Sequence, residues 1–449
     1  MPAPPSPRGP KGDPRGTRNT VVLLALTAAT NLADGIIKIA LPVLATRITN
    51  SPGQVALVAL ALTLPWLFIG LPAGVLVDRA DRRRLLWLAN GARLLVVGWL
   101  IHVVAAGNAT IWTLAAIGAA LGVAEVVAQT AESALIPALV PRAGRERANA
   151  WIVGVETAAN EFGGPMIGGL LLAVGTGIAL GVTWVGYLAA VLLLFALVGR
   201  FRAERPATGP KRDTGRGPER VTGPERRKGA ERRKGAEGRK GAERRKGAGV
   251  RAFTEGLRHL WGHRLLRTMT LIQAVLCAGW GAWLALMPLF AKESMGLGPQ
   301  EYGIVLSALG VGGLAGTLAV VRVNRWLGRR WAMFVDLLGT LAMVAVPALT
   351  TQLWAVAVAA FLGGMGGTLW TVNARLIAQN VVPDELMGRF SSAARLLGYG
   401  GMPVGAGLVG LLAEGVGVRI AFLIFAVAVA ASVLPFLRVV TAAELRAAV

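Results

Sequence analysis

Cysteine is almost missing from this chain: Cys277 is the only one in 449 residues. A single thiol excludes an internal disulfide, a cysteine zinc cluster and an iron–sulfur centre. Lying in an apolar run, it reads as a small buried hydrophobe. Histidine is scarce too, at three residues. His259 and His263 stand four apart on an amphipathic stretch, but two ligands are too few for a closed zinc site, so no metal is expected. Charged residues make up only 16%, against roughly 25% in an ordinary globular domain. Three chemical signatures are also missing: GxSxG, HExxH and GxxxxGK(S/T). No nucleophile–base constellation can be assembled, so no enzyme, no nucleotide-driven work and no cofactor are expected.

Apolar residues fill the gap. They make up 54% of the chain, with a mean hydropathy of +0.57. They gather into long uncharged runs such as Val55–Val77 and Leu265–Ala291, and about 20 such residues cross a ~30 Å hydrocarbon layer. The pattern predicts an all-α membrane protein of twelve transmembrane helices in two pseudo-symmetric six-helix bundles. The spans are expected at 20–41, 54–77, 85–106, 110–131, 150–173, 177–199, 267–291, 301–321, 331–349, 353–375, 390–412 and 417–437. Residues 1–19 are rich in proline and arginine without an apolar core, so no cleavable signal peptide is expected.

Lysine and arginine set the orientation, because basic loops resist translocation. Of 47 basic residues, Lys38, Arg93, Arg375 and Arg395 fall in or at the ends of spans, and only Arg47, Lys292 and Arg419 on loops of the outer side. The other 40 lie on the tails and alternate loops. Both termini are therefore expected in the cytoplasm, with the chain multi-pass in the plasma membrane. Residues 200–250 hold 18 basic and 7 acidic residues in a six-residue repeat built on ERRKGA. Without branched apolar or aromatic residues the repeat cannot bury enough surface to fold, so the segment is expected to be disordered linker. It lacks an aromatic platform for bases, so anionic membrane lipid is the expected partner and nucleic acid is not. The organisation expected is a tail at 1–19, a first bundle at 20–199, the linker at 200–250, an amphipathic helix at 251–266, a second bundle at 267–438 and a tail at 439–449. A monomer is expected.

The halves echo each other. Gly74-Val-Leu-Val-Asp78-Arg79-Ala-Asp81-Arg82-Arg83-Arg84 follows the second span, and Asn324-Arg325-Trp-Leu-Gly328-Arg329-Arg330 follows the eighth. Pro137 to Asn149 after the fourth span matches Val381 to Arg389 after the tenth. Gly163-Gly-Pro-Met-Ile-Gly-Gly169 in the fifth span matches Gly400-Gly-Met-Pro-Val-Gly-Ala-Gly407 in the eleventh. Matched irregular segments in two membrane halves point to a repeat-built transporter with its site between them.

The Gly74…Asp78-Arg79…Arg82-Arg83 loop resembles the signature between spans two and three of the major facilitator superfamily. Asn31-Leu-Ala-Asp34 through Pro42, the Glu255-Gly-Leu-Arg-His-Leu-Trp-Gly-His segment and Pro383-Asp-Glu-Leu-Met-Gly-Arg389 are similar to its twelve-span drug:proton antiporter branch, which includes macrolide and siderophore exporters. The resemblance implies that Gly74, Asp78, Arg79, Arg82 and Arg83 form a gating loop, with Asp78 latching onto span eleven when the cytoplasmic side closes. The fourth span departs from that branch, lacking the arginine that many members place there and carrying Glu125 nearby instead.

Charge inside hydrocarbon costs at least ~2.5 kcal/mol per residue and calls for a reason. Asn31, Asp34 and Lys38 form one stripe of the first span. Glu125, Gln129 and Glu132 form a stripe of the fourth. Glu156, Asn160 and Gly164 form one in the fifth, with Glu161 beside it, and Arg93 enters from the third. Such carboxylates suit a proton-coupled cavity, with Asp34 first, then Glu125, Glu156 and Glu161, and Arg93 as partner; static pairs fixing helix register are the alternative. Asn31 and Asn160 are candidate cavity residues. The second half is instead aromatic. Trp280, Trp283 and Trp370, with Trp66 from the first, are candidates to contact a bulky apolar or cationic compound, packing between helices being the other use of such rings. The reading is an efflux transporter that exchanges a small amphipathic compound for protons by alternating access. A facilitative or uptake permease of the same fold, and a non-transporting scaffold or sensor, are the alternatives.

Overall fold

The structure is a computed structural model that describes residues 14–139, 151–152, 154–156, 158–196, 254–441 and 444. The basic linker and nearly all of both tails lie outside them. The low charge and the alanine-, leucine- and valine-rich runs fold as helices, which satisfy every backbone group internally, as an apolar surround requires. Helix α1 runs Pro14–Ile48, α2 Pro52–Arg79, α3 Arg82–Ala105 and α4 Ile111–Leu139. A π-helical turn, Ala158–Gly163, leads into α5, Gly164–Val174, and α6 follows at Thr176–Ala196. A helical stretch at 254–262 precedes α7, Arg264–Glu293. Then come α8, Pro299–Leu349, α9, Leu353–Val381, α10, Asp384–Tyr399, α11, Gly401–Val416, and α12, Val418–Val439.

Among the described residues, ten helices are long and apolar enough to cross a membrane. Four of the expected spans take a different form. The eighth and ninth are the arms of α8, which breaks at Gly328, where φ is 77° and ψ 159°. That left-handed backbone favours glycine and turns the chain back. The fifth is the π turn joined to α5. The eleventh runs through α10 and α11 as one crossing, Arg389–Val416. Helix α1 starts at Pro14, ahead of the expected span, because a helix need not stop where hydrocarbon does. At the start of α3, Asp81 caps the helix by accepting from the backbone N–H of Arg83 (3.0 Å) and Arg84 (3.3 Å). Pro42 in α1 and Pro288 in α7 stand at matching places near the helix ends.

The core explains the shape. One apolar cluster joins both halves, bringing Leu41, Leu44, Val58 and Leu62 together with Phe290, Leu306, Leu309, Val409 and Phe422. It occupies the end of the molecule away from the termini. At the terminus-bearing end the core divides into clusters that each stay within one half. Leu23, Leu26, Leu86, Ala131 and Leu194 pack within the first half, and Leu265, Met333, Leu337, Trp370 and Phe436 within the second. The two halves are thus packed together at the far end and part toward the end that carries the termini.

Small residues let the far-end seams close. A Cβ on Gly410 would lie 2.5 Å from Ala56 Cβ, and one on Gly303 2.7 Å from Gly169 O. Polar contacts cross at the same end. Glu414 accepts from the Ser51 hydroxyl and from Gly53 N–H, the latter at 3.0 Å. Lys292 Nζ donates to Thr46 O (2.6 Å) and Asn50 Oδ1 (2.9 Å).

Candidate functional site

The polar stripe of α1 is met by side chains from four other segments of the first half. What brings them in is a close crossing of backbones. A Cβ on Gly35 would lie 2.8 Å from Gly164 Cα and 2.7 Å from Asn160 O, so α1 and the start of α5 touch main chain to main chain beside Asp34. The π turn just before that crossing carries Asn160; such extra-residue turns re-aim side chains and gather at functional sites.

Two linked clusters result. In the first, Arg93 Nη2 of α3 lies 3.0 Å from Asp34 Oδ2, and both side chains are almost wholly buried. The phenol of Tyr187, on α6, donates to Asp34 Oδ1 at 2.6 Å. The guanidinium also sits 5.5 Å from the Tyr187 ring centre and donates from Nη1 to Asn90 Oδ1 at 3.2 Å. In the second, Lys38 Nζ lies 3.3 Å from Glu125 Oε1 and donates to Asn160 Oδ1 at 2.8 Å. Asn160 Nδ2 donates to Asn31 Oδ1 at 3.0 Å, and Asn31 Nδ2 to Thr27 O at 2.9 Å. Gln129 lies one turn along α4 from Glu125 and reaches it at 3.5 Å.

Two acids and two bases therefore balance within one buried knot that ties α1 to α3, α4, the π turn and α6. Alone, each charge would be costly in hydrocarbon. Paired, each is held, and removing one leaves its partner uncompensated. Glu132, also on α4 and 7% exposed, accepts a hydrogen bond from the Thr27 hydroxyl and shares its surroundings with Glu156.

Of the residues singled out from sequence, Asn31, Asp34, Arg93, Glu125 and Asn160 come together in this knot. Glu156 is half-buried nearer Glu132. The side chains of Glu161, Asp78 and Arg79, and Gly74, lie outside the described residues. In the same loop, Arg83 Nη2 donates to Leu194 O at 3.1 Å, while Arg82 is half-buried. Trp283 and Trp370 are at most 2% exposed, packed in the far-end core and in the second half's own core. Trp66 and Trp280 are half-buried. Asp336, on the second arm of α8, is buried at 2% and accepts from the Thr340 hydroxyl at 3.2 Å.

Sequence reading passed over Tyr187, Asn90 and Thr27. Tyr187 did carry a signal: it is one of three tyrosines, placed mid-helix among apolar neighbours, and a buried phenol needs an acceptor. Asn90 stands three residues before Arg93, one helical turn away. Among the described residues no group of three or more His, Cys, Asp and Glu side chains is placed to hold a metal ion.

The chain matches the sequence pattern of the Major Facilitator Superfamily over residues 23–393 and 269–448. It belongs to that family. It is a multi-pass membrane transporter, not an enzyme. It is 29% identical over 424 residues to the multidrug efflux pump Tap of Mycolicibacterium fortuitum, covering 91% of this chain and 92% of that one. Against Tap of Mycobacterium tuberculosis (strain ATCC 25618 / H37Rv) it is 27% identical over 444 residues, covering 96% and 95%. A shorter stretch of 152 residues is 33% identical to the enterobactin exporter EntS of Shigella dysenteriae, covering 33% and 35%. Among solved structures, the nucleoside transporter NupG superposes with a TM-score of 0.65 at 10% identity, covering 96% of this chain and 100% of that one. An inward-facing bacterial homologue of the iron transporter ferroportin gives 0.64 at 15%, covering 94% and 98%. These two likenesses establish the fold: two lobes of a facilitator-type transporter.

Proposed function

We propose that this transporter exports a small amphipathic compound, of the drug, macrolide or siderophore kind, in exchange for protons by alternating access. One observation carries the reading: a buried, charge-balanced Asp34–Arg93 and Lys38–Glu125 knot in the helices of a facilitator lobe, held by partners that a proton would release. The kinship to multidrug efflux pumps supports the direction. Both termini face the cytoplasm, as the basic loops favour, so the conformation described is open inward and closed outward.

Asp34 carries the proton in this scheme. While Asp34 is ionised, Arg93 and the Tyr187 hydroxyl neutralise it, and α1 is tied to α3 and α6. A proton on Asp34 removes the charge that holds Arg93, which stays cationic at any working pH. Glu125 and Glu132 are then the acids within the field of Arg93, and a shift toward either moves α3 against α4. Proton binding thereby biases a packed two-state lobe, which is the physical requirement for coupling. Asp78, Arg79, Arg82 and Arg83 act as the gating loop on the cytoplasmic face, and the basic linker lies against anionic lipid. The working unit is a monomer.

The test uses inverted vesicles with an acidified lumen, following a pH-sensitive dye as candidate drugs are added. Wild type releases lumenal protons on drug addition, and Asp34→Asn does not. If the neutral variant still couples the two, Asp34 is only a structural pair. Export that persists after ΔpH is collapsed turns the antiporter into a facilitative permease. Deleting residues 206–248 leaves transport largely intact; loss of function with a normally inserted chain favours a scaffold that acts through the linker.

A further inference from the structure

In the first half, Asp34 and Glu125 are closed off by Arg93 and Lys38. The open side of the cleft carries a different charge. Arg395 lies within the crossing formed by α10 and α11, yet its side chain is exposed. It shares one face of α10 with Ser391, Ser392 and Tyr399, all exposed, at the three- and four-residue spacing of one helix side. The opposite face is packed: Phe390 is 5% and Ala393 0% exposed.

The guanidinium of Arg395 sits 5.2 Å from the ring centre of Trp66, which belongs to α2 in the other half. Below this point the two halves part, since the shared core gives way to clusters that each lie within one half. Above it α2 and α11 close, with Gly407 against Leu60. The pair therefore marks the roof of the cleft, and a guanidinium turned to lipid there would be costly. No ion pair among the described residues includes Arg395. Among the described residues, what the cleft offers a ligand is an arginine fork with no carboxylate in ion-pair range, beside a half-buried indole from the facing lobe.

We infer that Arg395 and Trp66 form a substrate subsite for the anionic end of an aromatic amphiphile. The acid of the ligand pairs with the fork, for which guanidinium geometry is suited, and its ring takes the indole face that Arg395 now covers. This names the substrate class within the exporter reading and rests on it. It also sets the cavity apart from one built for cations, whose acids would have to stand open.

Binding to the purified full chain in lipid nanodiscs tests the subsite, using fluorescein as an aromatic anion and ethidium as an aromatic cation. Wild type binds fluorescein the tighter of the two. Arg395→Gln weakens fluorescein about tenfold and leaves ethidium unchanged or tighter, whereas Arg395→Lys stays within about threefold of wild type. Trp66→Leu, which keeps the charge, weakens fluorescein as well and serves if Arg395→Gln does not insert. The inference is overturned if wild type prefers ethidium, if Arg395→Gln leaves fluorescein unchanged, or if it weakens both probes equally, which marks a bridge between lobes. Efflux from cells loaded with each probe is read separately. Binding through Arg395 without export defeats the exporter reading and leaves the subsite standing.

Discussion

The two lobes answer the same backbone plan with different interiors. Aligning Pro42 of α1 with Pro288 of α7 sets Asp34 against Trp280, and Asn31 against Cys277. Where the first lobe holds an ion pair, the second holds an indole. The loop after the second span carries Asp78, and its counterpart carries Asn324, whose amide pairs reciprocally with Asn373 at 2.9 and 3.0 Å. A reciprocal amide pair is satisfied without a proton or a counter-charge, so it has one state. An acid–base knot has at least two, because a proton can substitute for the base. The difference teaches where the work is divided: the lobe with titratable knots is suited to sense protons, and the lobe with aromatic and neutral polar groups is suited to shape the cavity. Asp336 qualifies the contrast, since the second lobe buries one acid, bonded to Thr340.

The sharpest way to break that comparison is to unbalance the knot. Arg93→Ala leaves Asp34 buried without its cation and should cost about 3–5 kcal/mol, read as a fall in thermal unfolding temperature in detergent. Adding Asp34→Asn should restore most of it. Trp283→Ala in the second lobe opens a cavity of comparable cost, and no second neutralising change should repair it. If the two single variants respond alike to Asp34→Asn, the charge-balance account of the first lobe fails.

Next in size is the backbone crossing that assembles the knot. Gly35→Ala drives a methyl to 2.7 Å from Asn160 O, an overpacking that should cost about 1–3 kcal/mol and sever proton coupling. Gly405→Ala in the second lobe meets Ala278 O at 2.0 Å. It should cost at least as much stability while leaving proton coupling per transported molecule unchanged. Equal loss of coupling in both would dissolve the division of labour.

A smaller effect is expected at Tyr187. Tyr187→Phe deletes one hydrogen bond to an ionised acceptor, worth about 1.5–3 kcal/mol; part is recovered because Arg93 remains. The chain should stay folded, with drug-driven proton release slowed. Unchanged proton release would place the phenol outside the coupling machinery.

The smallest belongs to the seam where the lobes meet. Glu414→Gln weakens an exposed contact with Ser51 and Gly53 worth at most about 1 kcal/mol. A few-fold shift of population toward the outward-open form should appear as changed distance distributions between spin labels on the two lobes. No shift would assign far-end closure to the glycine-lined seams alone.

How much of this was legible in the residues differs from place to place. The stripe Asn31, Asp34, Lys38 is readable because helical spacing alone puts it on one side, and its cost in hydrocarbon marks it as purposeful. Its partners are another matter. Lys38 stands only four residues from Asp34 on that stripe, yet it meets Glu125 and Asn160, while Asp34 meets Arg93 and Tyr187. Helical spacing says which side chains share a face, not which neighbouring helix that face meets. The π turn at Ala158–Gly163 was equally hidden, since one extra residue in a turn leaves no mark in hydropathy.

By itself the chain's lettering determined that it enters a membrane, which faces hold charge, and the internal repeat of its halves. These follow from local quantities: the length of apolar runs, the period of the helix and the count of basic residues per loop. Tertiary structure alone decided the pairing of acids with bases, the shared core at one end and the divided core at the other, and the place of Arg395 over Trp66. Those depend on how close two backbones can come, as at Gly35 and Gly164, and no one-dimensional period encodes that distance.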